Sequence, residues 1–368
     1  MRNVTGILAA LVMLGAACSA PRGTPSPSEA ASTERVISAE PTASSAPEAT
    51  ATPTPAPATW TELGATGPAA REDHTWTVTG DGSVAYLFGG RDGSTVYDDL
   101  WAYDLEADAW MPIEHGAQHP AARFGHEAAW VDGIGLVVVF GQAGTTFFDD
   151  IWAFDPAVGS WEELPSGGAV PRARYGSCAA VGPDGRLWIS HGFTADGARF
   201  ADTVAYDFTA NEWTDETPAG DAPVSRCLHG CWWTDAGTFR LYAGQTTGVT
   251  ALGDLWELAG AGDDLAWRRL EGELPAERNL YARARVGAAR LVFGGQGIDG
   301  GYLDDLFMLP DDAHVAAPFS VAGSAPPARA GAELVYDAQR ERALLFGGRD
   351  GDGARADLWE LSGVREGE

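Results

Sequence analysis

Six arginines recur along the chain behind a proline, in the pattern Pro-x-x-Arg, at Arg71, Arg123, Arg174, Arg226, Arg278 and Arg329. A guanidinium is a rigid, permanently charged fork of N–H donors whose geometry matches a carboxylate. Repeated at near-constant spacing, such a residue can build one anion-binding ring, or it can make the same structural bond six times over. A second constellation mixes Arg91, Arg199, Arg349 and Arg355 with Phe147, Phe148, Phe193, Phe200 and Tyr302. Aromatic rings beside arginines suit stacking on a sugar or gripping a peptide, or they pack beneath their own loops.

Other candidate chemistry is thinner. Asp350-Gly351-Asp352-Gly353 puts two carboxylates in a tight turn, but no third acidic ligand stands at a spacing that would complete a calcium loop. Cys227-Leu228-His229-Gly230-Cys231 has a faint metal-site look, yet His229 lies three places after Arg226, just as His74 and His126 follow their own arginines. With Cys18 set aside, Cys178, Cys227 and Cys231 allow at most one disulfide and leave one thiol over; a bond from Cys178 to one of the other two suits an oxidising compartment. No nucleophile–base order, paired-carboxylate motif or phosphate-binding loop stands out, and neither a metal nor a cofactor is expected. All 24 basic side chains are arginine, which excludes every mechanism that needs a lysine amine. Against 52 acidic residues they leave a net charge of −28, which argues against nucleic acid or an anionic membrane surface as a partner.

The N-terminus reads as an address. One positive charge precedes an apolar run from Ile7 to Leu14, the length of a signal-peptide core, and the run ends in Leu14-Gly15-Ala16-Ala17-Cys18. That ending resembles the lipobox of bacterial lipoproteins, with Leu one place further from the cysteine than usual, and implies lipidation at Cys18. Ordinary secretion with cleavage after Ala20 is the alternative. Residues 19–59 are nearly all Ala, Pro, Ser, Thr and Glu without hydrophobic periodicity, the composition of a disordered tether.

The elements that must position the arginines come from a repeat. The six arginines are 52, 51, 52, 52 and 51 residues apart. About twenty residues after each comes an apolar run ending in a glycine pair or its remnant, as in Leu87-Phe88-Gly89-Gly90 and Leu345-Phe346-Gly347-Gly348. An Asp-apolar-aromatic step follows, Asp99-Leu100-Trp101 in the first copy, and then a closing aromatic: Trp110, Trp161, Trp213, Trp267 and, weakly, Phe319. Short β-branched and aromatic runs cut by Gly, Pro and Asp predict four strands per copy and an all-β chain.

Arg123-Phe124-Gly125-His126, the Phe-Gly-Gly runs, Asp99 to Asp104 and the late tryptophans together resemble the kelch family over roughly residues 60–364, leaving a tail at 365–368. The resemblance implies a six-bladed β-propeller, each copy one four-stranded blade. The sixth copy ends at its third strand, Asp357 to Leu361, and a lone Trp60-Thr61-Glu62-Leu63 has the form of the strand it lacks. The N-terminal strand is therefore expected to close the last blade and remove an open edge. The resemblance also implies that the six arginines face one mouth of a central channel, beside the loops carrying Arg91, Phe193 and Arg349. The expectation is an extracytoplasmic, lipid-anchored binding module for a protein or glycan ligand with acidic groups, held at those nine residues. The competing expectation is a sugar-modifying enzyme, similar to sialic-acid mutarotases and, more remotely, galactose oxidase, for which Tyr175 near Cys178 is the suggestive pair.

Overall fold

The computed structural model describes residues 57–365 apart from 65, 313, 314 and 320. Cys18, the leader and almost all of the tether lie outside the described residues, as do tail residues 366–368. Within them the chain is all-β, with one short 3-10 turn at Gly262–Asp264.

Four-stranded antiparallel units follow one another as the repeat requires, consistent with blades of the expected kind. The first comprises Thr75–Val78, Val84–Phe88, Leu100–Asp104 and Ala109–Ile113, with Trp76 opposite Leu87, Leu87 opposite Trp101 and Trp101 opposite Pro112. The second comprises Glu127–Val131, Gly135–Val139, Ile151–Asp155 and Ser160–Glu163. Composition sets each strand's depth. Gly135–Val139 is buried at every residue, because a second strand has packing partners on both faces. In Ala109–Ile113 only Trp110 is buried, so the outer strand needs one large aromatic and can otherwise be polar. The turn into that strand is fixed by Asp104, whose Oδ1 accepts the amides of Glu106 and Ala107 at 2.9 Å.

The strand Ala58–Leu63 pairs antiparallel with Leu358–Ser362, Trp60 lying opposite Leu361, and so adds a fourth strand to the sixth unit beside Arg342–Asp350 and Ala330–Asp337. Trp60 is buried edge-on against Phe293 of the fifth unit at 5.6 Å.

Each core lies between two successive units. Tyr86 and Phe88 of the first pack with Val138 and Trp161 of the second, while Trp76 and Trp110 of the first pack with Phe346 and Leu358 of the sixth. The first strands stand side by side and line a narrow central cavity of about 60 Å³ to which all six units contribute. Its neck is a cycle of backbone hydrogen bonds, each amide donating to the carbonyl of the preceding unit: Asp73 to Gly331, Gly125 to Asp73, Gly176 to Gly125, Leu228 to Gly176, Leu280 to Leu228 and Gly331 to Leu280. All six residues adopt positive φ, so Asp73, Leu228 and Leu280 hold a conformation that glycine takes without cost. Cys178 and Cys231 form a disulfide between neighbouring first strands, and Cys227 remains a buried thiol.

Candidate functional site

The structure corrects the expectation for the six Pro-x-x-Arg arginines. Arg71, Arg123, Arg174, Arg226, Arg278 and Arg329 are each at most 1% exposed. Arg71 donates from Nη1 and Nη2 to the two carboxylate oxygens of Asp99 at 2.7 and 2.8 Å, from Nη1 also to Gly89 O, and from Nε to Ala69 O. The same bidentate bond joins Arg123 to Asp150, Arg174 to Asp202, Arg226 to Asp254, Arg278 to Asp305 and Arg329 to Asp357. The indole of the following aromatic closes the set where it is a tryptophan: Trp101 Nε1 donates to Asp99 Oδ2 at 2.7 Å. Proline-arginine, glycine pair and Asp-x-Trp are thus three pieces of one hydrogen-bonded knot. Burial pushes the carboxyls of Asp99, Asp150, Asp254 and Asp357 up, but the bonds and charge of the arginine prevail and hold each below its ordinary value. These arginines are architecture, because neighbouring groups saturate them. The clue was in the sequence: each arginine has its aspartate 27 or 28 residues later.

Other motifs also resolve into structure. His74 and His126 wedge edge-on against Phe346 and Phe88 of neighbouring units, and burial depresses both imidazoles, His126 to about 3, so they are neutral packing groups. Cys231 is held in the disulfide, which breaks up the Cys-x-His-x-Cys set, and takes Cys178 away from any cross-link to Tyr175. Arg355 pairs with both Asp350 and Asp352, so that turn is internally neutralised.

Arg91, Arg349 and Phe193 do share one face. Each occupies the same place in its unit, one residue past the glycine pair or its remnant, paired with the residue that follows the buried arginine: Arg91 with Glu72, Phe193 with Tyr175, Ala330 with Arg349. Glu72, 6% exposed, joins the two arginines, at 3.3 Å to Arg91 Nε and 2.8 Å to Arg349 Nε. Arg91 Nη2 also meets Asp73 Oδ2 at 2.9 Å, and its guanidinium lies 4.2 Å over the ring of Phe124. From Phe124 an aromatic arc continues through Tyr175 to Phe193 and Phe147, with Arg199 over Phe193. Beside the arginines is a cleft of about 330 Å³ lined by Glu72, Arg91, Gln296, Tyr302 and Arg349 among others. Burial raises Asp73 to about 6, with Arg91 opposing the rise and Glu72 adding to it. The repeat reading missed Glu72 and Asp73, although acidic side chains directly after the first repeat arginine have no counterpart in the other copies.

Further along the first strands, Glu127, Arg283 and Glu333 face the central cavity. Glu127 Oε2 and Arg283 Nη2, from units opposite one another, approach to 3.9 Å. Protein surrounds both glutamates, and this burial raises Glu127 to about 7 and Glu333 to about 8 against the pull of Arg283. Folded Glu333 keeps its proton to higher pH than the unfolded chain does, so stability falls as pH rises from the ordinary value of 4.5 to about 8. Glu333→Gln is therefore expected to melt with the parent near pH 5 and above it near pH 9, as calorimetry at the two pH values would read. A variant no more stable than the parent at the higher pH would show that Glu333 ionises there at no cost.

With this geometry in place, residues 51–192 match the family model of the KLHDC2/KLHL20/DRC7 Kelch-repeats domain. It is similar to Kelch domain-containing protein 10 of Xenopus tropicalis, 25% identical over 251 residues, 64% of this chain and 59% of that protein. It is also similar to Adagio protein 3 of Arabidopsis thaliana, 25% identical over 289 residues, 74% of this chain and 46% of that protein. Adagio-like protein 3 of Oryza sativa subsp. japonica is 28% identical over 180 residues, 47% of this chain and 28% of that protein. The chain thus spans between 28% and 59% of the length of these curated relatives, all of them eukaryotic.

Proposed function

We propose that the chain is a closed six-bladed kelch propeller acting outside the cytoplasm as a binding module for a protein or glycan ligand with acidic groups. The closed ring is supported by the cycle of backbone hydrogen bonds at the neck, by the core shared between first and sixth units, and by the pairing of Ala58–Leu63 with Leu358–Ser362. Address outside the cytoplasm is supported by the Cys178–Cys231 disulfide, a bond that persists in oxidising compartments, and the lipid on Cys18 by the lipobox-like end of the leader.

The observation that carries the binding reading is the pair of guanidiniums held by Glu72. This buried carboxylate fixes Arg91 and Arg349 through their Nε atoms. The terminal nitrogens of Arg349 make no hydrogen bond to the described residues and are left to donate to a ligand carboxylate. The arc of Phe124, Tyr175 and Phe193 next to them offers ring faces and edges to a sugar or an apolar side chain. A glycan and peptide array probed with the full chain tests this. Hits are expected to be enriched in carboxylate-bearing members and to disappear with Arg91→Ala/Arg349→Ala, each lost charged hydrogen bond being worth about 1.5–3 kcal/mol. Hits that ignore ligand charge, or that survive in the double variant, would overturn it.

The address has its own test. Cys18→Ser is expected to move the protein from the membrane to the soluble fraction, and equal solubility of the two forms would show simple secretion instead.

A further inference from the structure

The far end of the central cavity contains a group that the binding reading does not use. Beyond the neck, the first strands line a wider cavity of about 390 Å³, walled by Trp76, Ala128, Arg283, Arg290, Glu333 and Tyr336 among others. Arg283 and Glu333 belong to the walls of both the narrow and the wide cavity, so they stand where the two adjoin. The guanidinium of Arg283 differs from those of the six repeat arginines. It makes no hydrogen bond to the described residues, and the ion pair to Glu127 at 3.9 Å is beyond hydrogen-bonding distance. Its side chain is 25% exposed and lines both cavities. A buried-type arginine normally has its donors saturated, as the six repeat arginines do. Here the donor fork is left open, toward a space that a small molecule can enter.

From this open fork we propose a second binding site, at the wide end of the cavity, for a small organic monocarboxylate anchored on Arg283. A planar carboxylate accepts two parallel N–H bonds from a guanidinium, a match that a spherical anion cannot make. Glu127 and Glu333 flank the fork and select the charge of the ligand. With their protons on, they donate hydrogen bonds to a second oxygen acceptor; with their protons off, they repel an anion and most strongly a dianion. The charged or titratable groups that face these three side chains are Tyr281, Asp73, His229 and Arg290, together with one another. Near neutrality Glu333 is still mostly protonated and Glu127 about half so, and the site takes a monoanion there and loses it as the pH is raised past about 8. Arg290 and Arg285 stand along the same wide end, held by Trp233 O and Asp235 respectively, and add positive charge at the approach.

The site lies on the opposite side of the neck from Arg91 and Arg349, and either site can fail without the other. The experiment is protection of arginine from methylglyoxal in the full chain, read residue by residue by peptide mass spectrometry, with acetate as the probe and acetamide as its neutral isostere. Arg268 and Arg269, with side chains 67% and 58% exposed, serve as solvent-facing references. The expected result is that acetate slows modification of Arg283 several-fold at neutral pH, leaves Arg268 and Arg269 unchanged, and loses its effect at alkaline pH, while acetamide does nothing. Equal protection by acetamide, or no protection by acetate, overturns the proposal. So does an Arg283 that stays unmodified in the ligand-free protein, because a cavity closed to methylglyoxal is closed to acetate.

Discussion

Replacing Asp254 with Ala is expected to destabilise the protein by about 3–5 kcal/mol. Arg226 is fully buried, and Asp254 takes both of its terminal nitrogens at 2.7 and 2.8 Å. Removing the carboxylate strands a charge that cannot be neutralised by deprotonation, since arginine stays protonated. It also frees Trp256 Nε1, which donates to Asp254 Oδ2 at 2.7 Å. Chemical denaturation of the single variant measures the loss. The equivalent exposed pair, Arg172 with Asp196, has side chains 60% and 57% exposed and is expected to be nearly silent on the same test. A silent Asp254→Ala would mean that the knot is not a source of stability and would reopen the arginines as binding groups.

Removal of residues 57–63 is the second large effect. The truncation uncovers Leu358–Ser362 along its whole paired edge and takes Trp60, 3% exposed, out of the core it shares with Phe293 and Leu361. Loss of a buried tryptophan alone costs about 3–5 kcal/mol, and the bared strand is a template for pairing with another copy. The expected outcome is a much lower melting temperature together with association visible by light scattering. A truncated chain that stays monomeric and melts within about two degrees of the parent would show that the sixth unit is complete without this strand.

The architecture was legible because the repeat advertises it. Fifty-odd-residue spacing, glycine pairs and late tryptophans each report a local geometric need, and the strands fall where those signals put them. The pairing of Trp60 with Leu361 was readable for the same reason, since Trp-x-x-Leu is the form the sixth unit lacked. The role of the arginines was misread because arginine and aspartate were treated as separate motifs. In a chain of net charge −28 the positive side chains invite a functional reading, whereas the nearest carboxylate in space, 27 or 28 residues away, had already neutralised each one. Arg91, Arg349 and Phe193 were singled out because they stand where the repeats diverge most. Glu127, Arg283 and Glu333 were not, because repeat alignment directs attention to what recurs. Arg283 occupies the place that is Trp76 in the first unit and Cys231 in the fourth, and Glu127 the place of Thr75 and Cys178. A charge at an inward position of an inner strand is the signal that would have revealed them.

The central claim is that ligand is taken by the loop arginines and the aromatic arc, while the repeat arginines hold the fold. Titration calorimetry with an acidic ligand selected from the array, into the parent and into Arg91→Ala/Arg349→Ala, tests it most directly. The account predicts a double variant that stays folded, with some stability lost because buried Glu72 and Asp73 lose their cationic partners, and that binds at least about a hundredfold more weakly, equivalent to some 2.7 kcal/mol. Unchanged affinity in a folded double variant would contradict it and move the site away from Glu72, Arg91 and Arg349.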